Sequence, residues 1–348
     1  MALAGHNSIV APTGQEEVQY EVLTSPQFGL TDMQVRNWTN GPAFLTWSRG
    51  QNSHGNGIGG PLPRSFMRGQ AQLQKQIMAR YRELGILGHL PAFGGYAPWA
   101  LAVKNNQSAP GSGATRGKRG HDYDTAWIDG RDPLFTRVAD AWMSAIIAQF
   151  GSDHAWQVDA FFANGTGWGL AASQEEAASN LTSQTDLPPD PVFLARARAA
   201  YGAIERADGP TARWIYQSWA LRESDSGMDC KAAPCPTELS RLRGFSSAAP
   251  AGNFILLDMT HNSVGMWRDP WQGSWGLPFI WTALPDYGGD QGIKGNMSEI
   301  QGIPFNAPPL APVPEHMRKT FNPATQVGTD RNCYRKCLSA TFHFPVIH

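Results

Sequence analysis

Short apolar runs recur along the chain. Each breaks into a loop rich in glycine and proline, and a segment of helical spacing follows. Pro42-Ala-Phe-Leu-Thr-Trp47, Trp156-Gln-Val-Asp-Ala-Phe161 and Arg213-Trp-Ile-Tyr-Gln-Ser-Trp219 are three such runs; Phe254-Ile-Leu-Leu-Asp258 and Pro278-Phe-Ile-Trp-Thr-Ala-Leu284 are two more. Runs that are apolar throughout, rather than alternating, suit strands buried on both faces. Such strands alternating with helices imply a parallel α/β sheet. In a closed barrel of that kind the strand C-termini line the active site. Several of these runs end in Trp or Asp, which suggests a pocket walled by aromatic rings.

The spacing predicts a short strand at Ser8–Ala11 and a polar helix at Asp32–Thr39 capped by Thr31. It predicts a strand end at Phe44–Trp47, then a Gly/Pro-rich loop over residues 52–63. A helix is expected at Ser65–Leu84, with Leu73, Ile77, Tyr81 and Leu84 on its apolar face and Gly85 as its stop. Ile86–Leu90 reads as a strand. Residues 103–130 hold few apolar positions and read as one long loop. A helix at Leu134–Phe150 carries Val138, Trp142, Ile146 and Phe150 at spacing four. A strand follows at Trp156–Phe162, and residues 163–187 read as a second long loop. Asp190 and Pro191 open a helix reaching Arg206, with Leu194, Ala197, Tyr201 and Ile204 facing inward. Strands Trp214–Trp219, Phe254–Asp258 and Pro278–Leu284, a helix at Glu238–Gly244 and a last short strand at Thr325–Thr329 complete the reading. Without the last short one, these are seven strand candidates, one short of a closed eight-stranded barrel. No repeat at a fixed period is present.

Composition narrows the picture. With 348 residues and 41% hydrophobic positions the chain can bury a full core. Its 28 basic and 29 acidic residues nearly cancel, which argues against a nucleic-acid or polybasic membrane binder. No apolar stretch approaches the roughly 20 residues of a membrane span. Met1-Ala-Leu-Ala-Gly-His-Asn7 lacks the layout of a signal peptide. Five Asn-x-Ser/Thr triplets, beginning at Asn37, Asn106, Asn164, Asn180 and Asn296, match the glycosylation pattern. Cys230 and Cys235 flank Lys-Ala-Ala-Pro and are spaced for a small disulfide. Cys333 and Cys337 are open to pairing or to remaining thiols. With His343 and His348 they have a loosely zinc-like spacing, but no core surrounds them, and no metal site is assigned. Gly55-Asn-Gly-Ile-Gly-Gly60 does not fit a phosphate loop, and no Gly-x-Ser-x-Gly elbow is present.

An ordered series of segments carries a resemblance. Met1-Ala-Leu-Ala-Gly5, Gly14-Gln-Glu16, Gly41-Pro-Ala-Phe-Leu-Thr-Trp-Ser-Arg49, Gly60-Pro-Leu-Pro63, Leu90-Pro-Ala-Phe-Gly-Gly-Tyr96 and Asp132-Pro-Leu-Phe135 open it. Phe150-Gly-Ser-Asp-His154, Gln217-Ser-Trp219, Leu256-Leu-Asp258, Pro278-Phe-Ile-Trp281 and Tyr287-Gly-Gly289 continue it. In this order they resemble the catalytic domain of the α-N-acetylglucosaminidase family. The resemblance implies an α/β fold, a (β/α)8 TIM-type barrel, here incomplete because its first strand is missing. Residues 1–329 form this partial glycoside hydrolase barrel and residues 330–348 a non-matching tail. It further implies removal of terminal α-linked N-acetylglucosamine from glycans such as heparan sulfate, no cofactor or metal, and a lysosomal or secreted location. A homo-oligomer remains open.

The resemblance places Trp47, Trp219, Leu284 and Tyr287 on the wall of the sugar pocket. The chemistry agrees, because aromatic faces meet the axial C–H groups of a sugar and a few polar groups beside them set its orientation. Asn52 and His54, in the loop after Trp47, suit sugar hydroxyls, and a solvated loop histidine is the alternative for His54. Retaining glycosidases need two carboxyl groups about 5–5.5 Å apart. Where the family has its acid/base Glu, this chain has Ala163, and after Val327-Gly-Thr329 the nucleophile's setting is replaced by a different tail. Asp159 is four positions before Ala163, roughly 13 Å lower along an extended strand, and reads as structural. Glu175 and Glu176 fall in a loop. Asp286 is the remaining catalytic candidate. Three readings therefore stand open: a glycoside hydrolase domain with impaired turnover, a catalytically silent carbohydrate-binding barrel, and a chain whose open strand edges prevent folding.

Overall fold

The structure, a computed structural model, describes residues 7–49, 59–106, 114–116, 125–158, 188–217, 236–258 and 277–281. In chain order its elements are β1 (Ser8–Val10), α1 (Gln15–Thr24), α2 (Asp32–Trp38), a 3-10 turn (Pro42–Phe44), α3 (Leu45–Arg49), α4 (Arg64–Glu83), β2 (Leu87–Pro91), β3 (Tyr96–Pro98) and α5 (Trp99–Lys104). Then come β4 (Ala114–Arg116), β5 (Thr125–Ile128), α6 (Pro133–Phe150), β6 (Ala155–Gln157), α7 (Pro191–Asp208), β7 (Arg213–Gln217), α8 (Pro236–Ser246), β8 (Phe254–Asp258) and β9 (Phe279–Trp281). They group into two compact units. One holds residues 10–166 and 195–212; the other holds 1–9, 167–194 and 213–348.

In the first unit β2 pairs in parallel with β6, setting Leu90 against Trp156 and Pro91 against Gln157. A helix is the usual connection between parallel neighbours, and α6 supplies it here. Asp132 caps α6 by accepting from the Leu134 N–H at 2.7 Å, Pro133 opens it, and Gly151 ends it at φ 73°. Val138, Trp142, Ile146 and Phe150 are all buried, as their spacing predicts. The Trp142 indole donates to the Pro91 carbonyl at 2.9 Å, which ties α6 to the end of β2. At the other end, Asp153 accepts from Gly88 N–H (2.8 Å) and Arg82 Nε (2.7 Å). Gly88 also lets α4 approach, because a Cβ there would collide with the Met78 sulfur. Asp208 accepts from Ser152 Oγ (2.8 Å) and the Trp156 indole (2.7 Å), fixing the C-terminus of α7 beside β6.

The second unit carries parallel β7, β8 and β9, with Trp214–Gln217 in register with Phe254–Leu257, and Leu256–Asp258 with Phe279–Trp281. Its core is aromatic. Phe245 on α8 meets Phe193, Trp214 and Tyr216 with ring centroids 5.3, 5.9 and 4.6 Å apart. Such tilted and edge-on pairs add to the gain from burial itself. Asp190 caps α7 through its Oδ1, which accepts from the N–H groups of Val192 and Phe193 at 2.8 and 3.1 Å.

Three expectations are corrected. The run Phe44–Trp47 is not a strand end: Pro42 opens a 3-10 turn and Leu45–Arg49 is helical. Pro at the first helical position is pre-set for that φ, and an apolar run this short has no period with which to tell strand from helix. Residues 103–130 are not one loop: β4 and β5 lie there, and with β3 they form an antiparallel sheet in the order β3-β5-β4. Strands of three or four residues carry too little alternation to be read. Helix α4 exists as predicted but buries Met67, Ala71, Gln74 and Met78, leaving Leu73 and Leu84 exposed. Ranking Leu above Met and Ala rotated the expected face by about one position.

Trp38, Trp127, Trp142, Trp156 and Trp214 are 5% exposed or less. For these five, core packing is the role. Residues 159–187, with the second predicted loop, Asp159, Ala163, Glu175 and Glu176, lie outside the described residues. So do Cys230, Cys235, Cys333, Cys337 and the strand predicted at Thr325–Thr329.

The face of α4 gives a direct test. Met78→Ala should cost about 2–5 kcal/mol in chemical denaturation, whereas Leu73→Gln should stay within about 0.5 kcal/mol of the parent. Comparable losses would mean that α4 is turned the other way.

Candidate functional site

Helix α1 begins at Gly14, which adopts φ 75°, and a Cβ there would run into the backbone of Gln70 and Ala71 on α4. This close approach needs glycine. It brings the first turn, Gln15-Glu16-Glu17, into the interior: their relative exposures are 4%, 2% and 5%. Two adjacent buried carboxylates are costly unless each is paired. Each has its own arginine. Arg49 on α3 donates to Glu16 from Nη2 (2.6 Å) and Nε (3.1 Å), and its Nη2 also reaches Gln70 Oε1 at 2.9 Å. Arg64, the first residue of α4, forks onto both oxygens of Glu17, with Nη2 at 2.8 Å from Oε1, and covers the Tyr20 ring 3.4 Å from its centroid. Two-pronged arginine–carboxylate pairs fix direction as well as distance.

Gln15 donates to the Ser48 carbonyl at 3.3 Å, and its Oε1 finds no donor among the described residues. It lines a pocket with Glu16, Trp38, Phe93, Tyr96 and Trp142. The pocket encloses about 20 Å³, room for about one water molecule and far less than a sugar ring needs. Next to it, the Trp38 indole donates to Thr125 Oγ1 at 2.9 Å. A second buried charge, Asp129 after β5, accepts from Arg196 (Nη2 2.7 Å, Nε 3.1 Å) and from Arg131 (Nη2 2.8 Å, Nε 3.0 Å). Burial pushes the Asp129 carboxyl up, but the hydrogen bonds from Arg131 and Arg196 outweigh it and hold the group well below the usual carboxylate range. Among the described residues no three His, Cys, Asp or Glu side chains are grouped to hold a metal ion.

In the second unit one strand end matches the sequence pattern, Asp258 of β8; β9 ends at Trp281, inside the predicted run Pro278–Leu284. Asp258 and Trp281, the C-terminal residues of β8 and β9, stand opposite each other in register. Of the residues assigned to the sugar wall, Trp47 lies on α3, two residues before Arg49, not at a strand end. Asn52, His54, Trp219, Leu284, Tyr287 and the catalytic candidate Asp286 lie outside the described residues. The sequence reading quoted Gly14-Gln-Glu16 only as a matching segment and assigned it no role. Its signal was present: two adjacent carboxylates, Glu16 and Glu17, starting two residues after Gly14. Their arginine partners, 33 and 47 residues on, follow no periodic spacing.

Parallel strands joined through helices define an α/β domain, and the TIM barrel is the closed form of that class. Within that class, residues 1–312 match the α-N-acetylglucosaminidase (NAGLU) TIM-barrel domain, and the chain belongs to that family. It is similar to human α-N-acetylglucosaminidase, with 28% identity over 334 residues, 94% of this chain and 38% of that one. It is also similar in fold to a family 89 glycoside hydrolase from Clostridium perfringens. The structure of that protein with its substrate GlcNAc-α-1,4-galactose superposes with a TM-score of 0.63 at 20% identity, covering 95% of this chain and 32% of that one. Its complex with 2-acetamido-1,2-dideoxynojirimycin gives 0.64 at 19% identity, covering 98% and 34%. The chain thus spans about a third of the length of these relatives. The family and fold class expected from sequence both hold.

Asp129 makes a pH-dependent prediction. A carboxyl with a lowered folded-state pKa contributes stability above its unfolded value, near 3.9, and loses it as pH falls toward the folded value. Asp129→Asn should therefore lower stability by about 3 kcal/mol at pH 7, and the gap should narrow below about pH 4. Thermal melts of both proteins from pH 7 to pH 2.5 check this. A gap that stays constant, or widens on acidification, would rule out the buried ion pair as its origin.

Proposed function

We propose that the chain provides the carbohydrate-recognising barrel of an α-N-acetylglucosaminidase-type glycoside hydrolase and accepts glycans that end in α-linked N-acetylglucosamine. The family match over residues 1–312 carries this reading. The similarity to the human enzyme supports it, as does the GlcNAc-α-1,4-galactose held by the Clostridium perfringens relative. The sugar wall is assigned to Trp47, Trp219, Leu284 and Tyr287, with Asn52 and His54 hydrogen-bonding the hydroxyls. Heparan sulfate as the natural glycan and a lysosomal or secreted location belong to the same proposal. Among the described residues, no helix is long and apolar enough to cross a membrane.

Turnover by this chain is proposed to be feeble. A positioned general acid contributes about 10²–10⁴ in rate, and Ala163 cannot transfer a proton. No Glu follows Val327-Gly-Thr329 in the family's setting either. Asp286 is the one carboxylate proposed as a replacement. The alternative, a silent sugar-binding barrel, is favoured by the same Ala163.

Two assays on the purified chain separate these readings: hydrolysis of a chromogenic aryl N-acetyl-α-glucosaminide, and calorimetric titration with N-acetylglucosamine. The expected outcome is binding that Trp219→Ala abolishes, with hydrolysis at or near background. Rapid hydrolysis abolished by Asp286→Asn would instead make Asp286 a catalytic carboxylate. Neither binding nor hydrolysis from a cooperatively folded chain would overturn the proposal.

A further inference from the structure

Helix α3 spans only five residues, Leu45–Arg49. An isolated helix of that length has no stability of its own, because nucleation costs more than its few hydrogen bonds return. Contacts to other elements must hold it. Leu45 is buried with Leu62 and Met67. The Ser48 hydroxyl accepts from Asn40 Nδ2 at 3.3 Å, and the Ser48 carbonyl accepts from Gln15 Nε2 at 3.3 Å. These are neutral, long hydrogen bonds. The strong contact is the two-pronged pair of Arg49 with Glu16, whose carboxylate is 2% exposed. Arg49 has a second acceptor in Gln70, so its guanidinium is fixed from two directions. Trp47 is carried on the same turn, two residues before Arg49.

We propose that Glu16 is a positioning residue for the sugar-binding wall: its ion pair with Arg49 locks α3 and thereby sets the place of Trp47. The inference rests on the assignment of Trp47 to that wall. Glu16 itself touches no sugar and transfers no proton. Its role is to remove the freedom of a short helix before the ligand arrives, so that the entropy of ordering Trp47 does not weaken binding. The neighbouring pair Glu17–Arg64 supplies an internal comparison. It is also buried and bidentate, but it anchors the start of the 20-residue α4, not α3.

The test uses the full chain labelled with 5-fluorotryptophan, with the Trp47 resonance assigned by its loss in Trp47→Phe. Glu16→Gln should shift or broaden that resonance and weaken N-acetylglucosamine binding about tenfold. Glu17→Gln should lower the melting temperature comparably and leave the Trp47 resonance in place. Arg49→Lys keeps the charge and loses the fork; it should reproduce Glu16→Gln in part, and it preserves the test if Glu16→Gln does not fold. An unmoved Trp47 resonance in both Glu16→Gln and Arg49→Lys would overturn the proposal, as would an equal shift in Glu17→Gln. A moved resonance in a chain that binds no N-acetylglucosamine upholds the positioning role, and the sugar-wall assignment fails instead.

Discussion

Two carboxylates buried side by side constrain much of the first unit. Glu16 and Glu17 follow a glycine whose left-handed backbone lets α1 start against α4. Once both are removed from water, each needs a charged partner to offset its lost hydration. Each takes a different arginine, and the two arginines come from different elements, α3 and the start of α4. The first turn of α1 thus fixes where two other segments begin and end. The surrounding apolar contacts, Leu45 with Leu62 and Met67, fill space but give no direction. The forked ion pairs give direction.

The same logic recurs at lower density. Asp153 joins the end of α4 to the start of β2, Asp208 holds α7 beside β6, and Asp129 secures α7 at the turn after β5. In each case a carboxylate at an element boundary accepts from groups distant in sequence. Buried strands supply the core, and the boundary carboxylates tie the ends of helices to neighbouring segments. Parallel barrels place their chemistry on the loops beyond the strand C-termini.

Long periodic elements were legible in the sequence, and short ones were not. Helix α6 was read in full because four large apolar residues at spacing four all point inward. Helix α4 was placed correctly, but its buried face was misjudged because Met and Ala fill it while leucines stand outside. The turn at Leu45–Arg49 and the small β3-β5-β4 sheet were missed, since three to five residues carry no measurable period. The family was legible from ordered segments, and residues 1–312 match its model. Of the residues assigned to the sugar site, Trp47 is placed on a helix, and the others lie outside the described residues. The ion-pair frame was invisible in advance because pairs such as Glu16 and Arg49 are set by tertiary packing and leave no local pattern.

We propose that Arg49, forked onto Glu16, holds α3 and with it Trp47 in place for N-acetylglucosamine. A crystal structure of the chain grown with N-acetylglucosamine tests it most directly. The expected result is the sugar ring against the Trp47 indole, with Arg49 still forked onto Glu16. A sugar bound elsewhere in an otherwise well-ordered chain, or Arg49 swung away from Glu16 with the sugar in place, would contradict it.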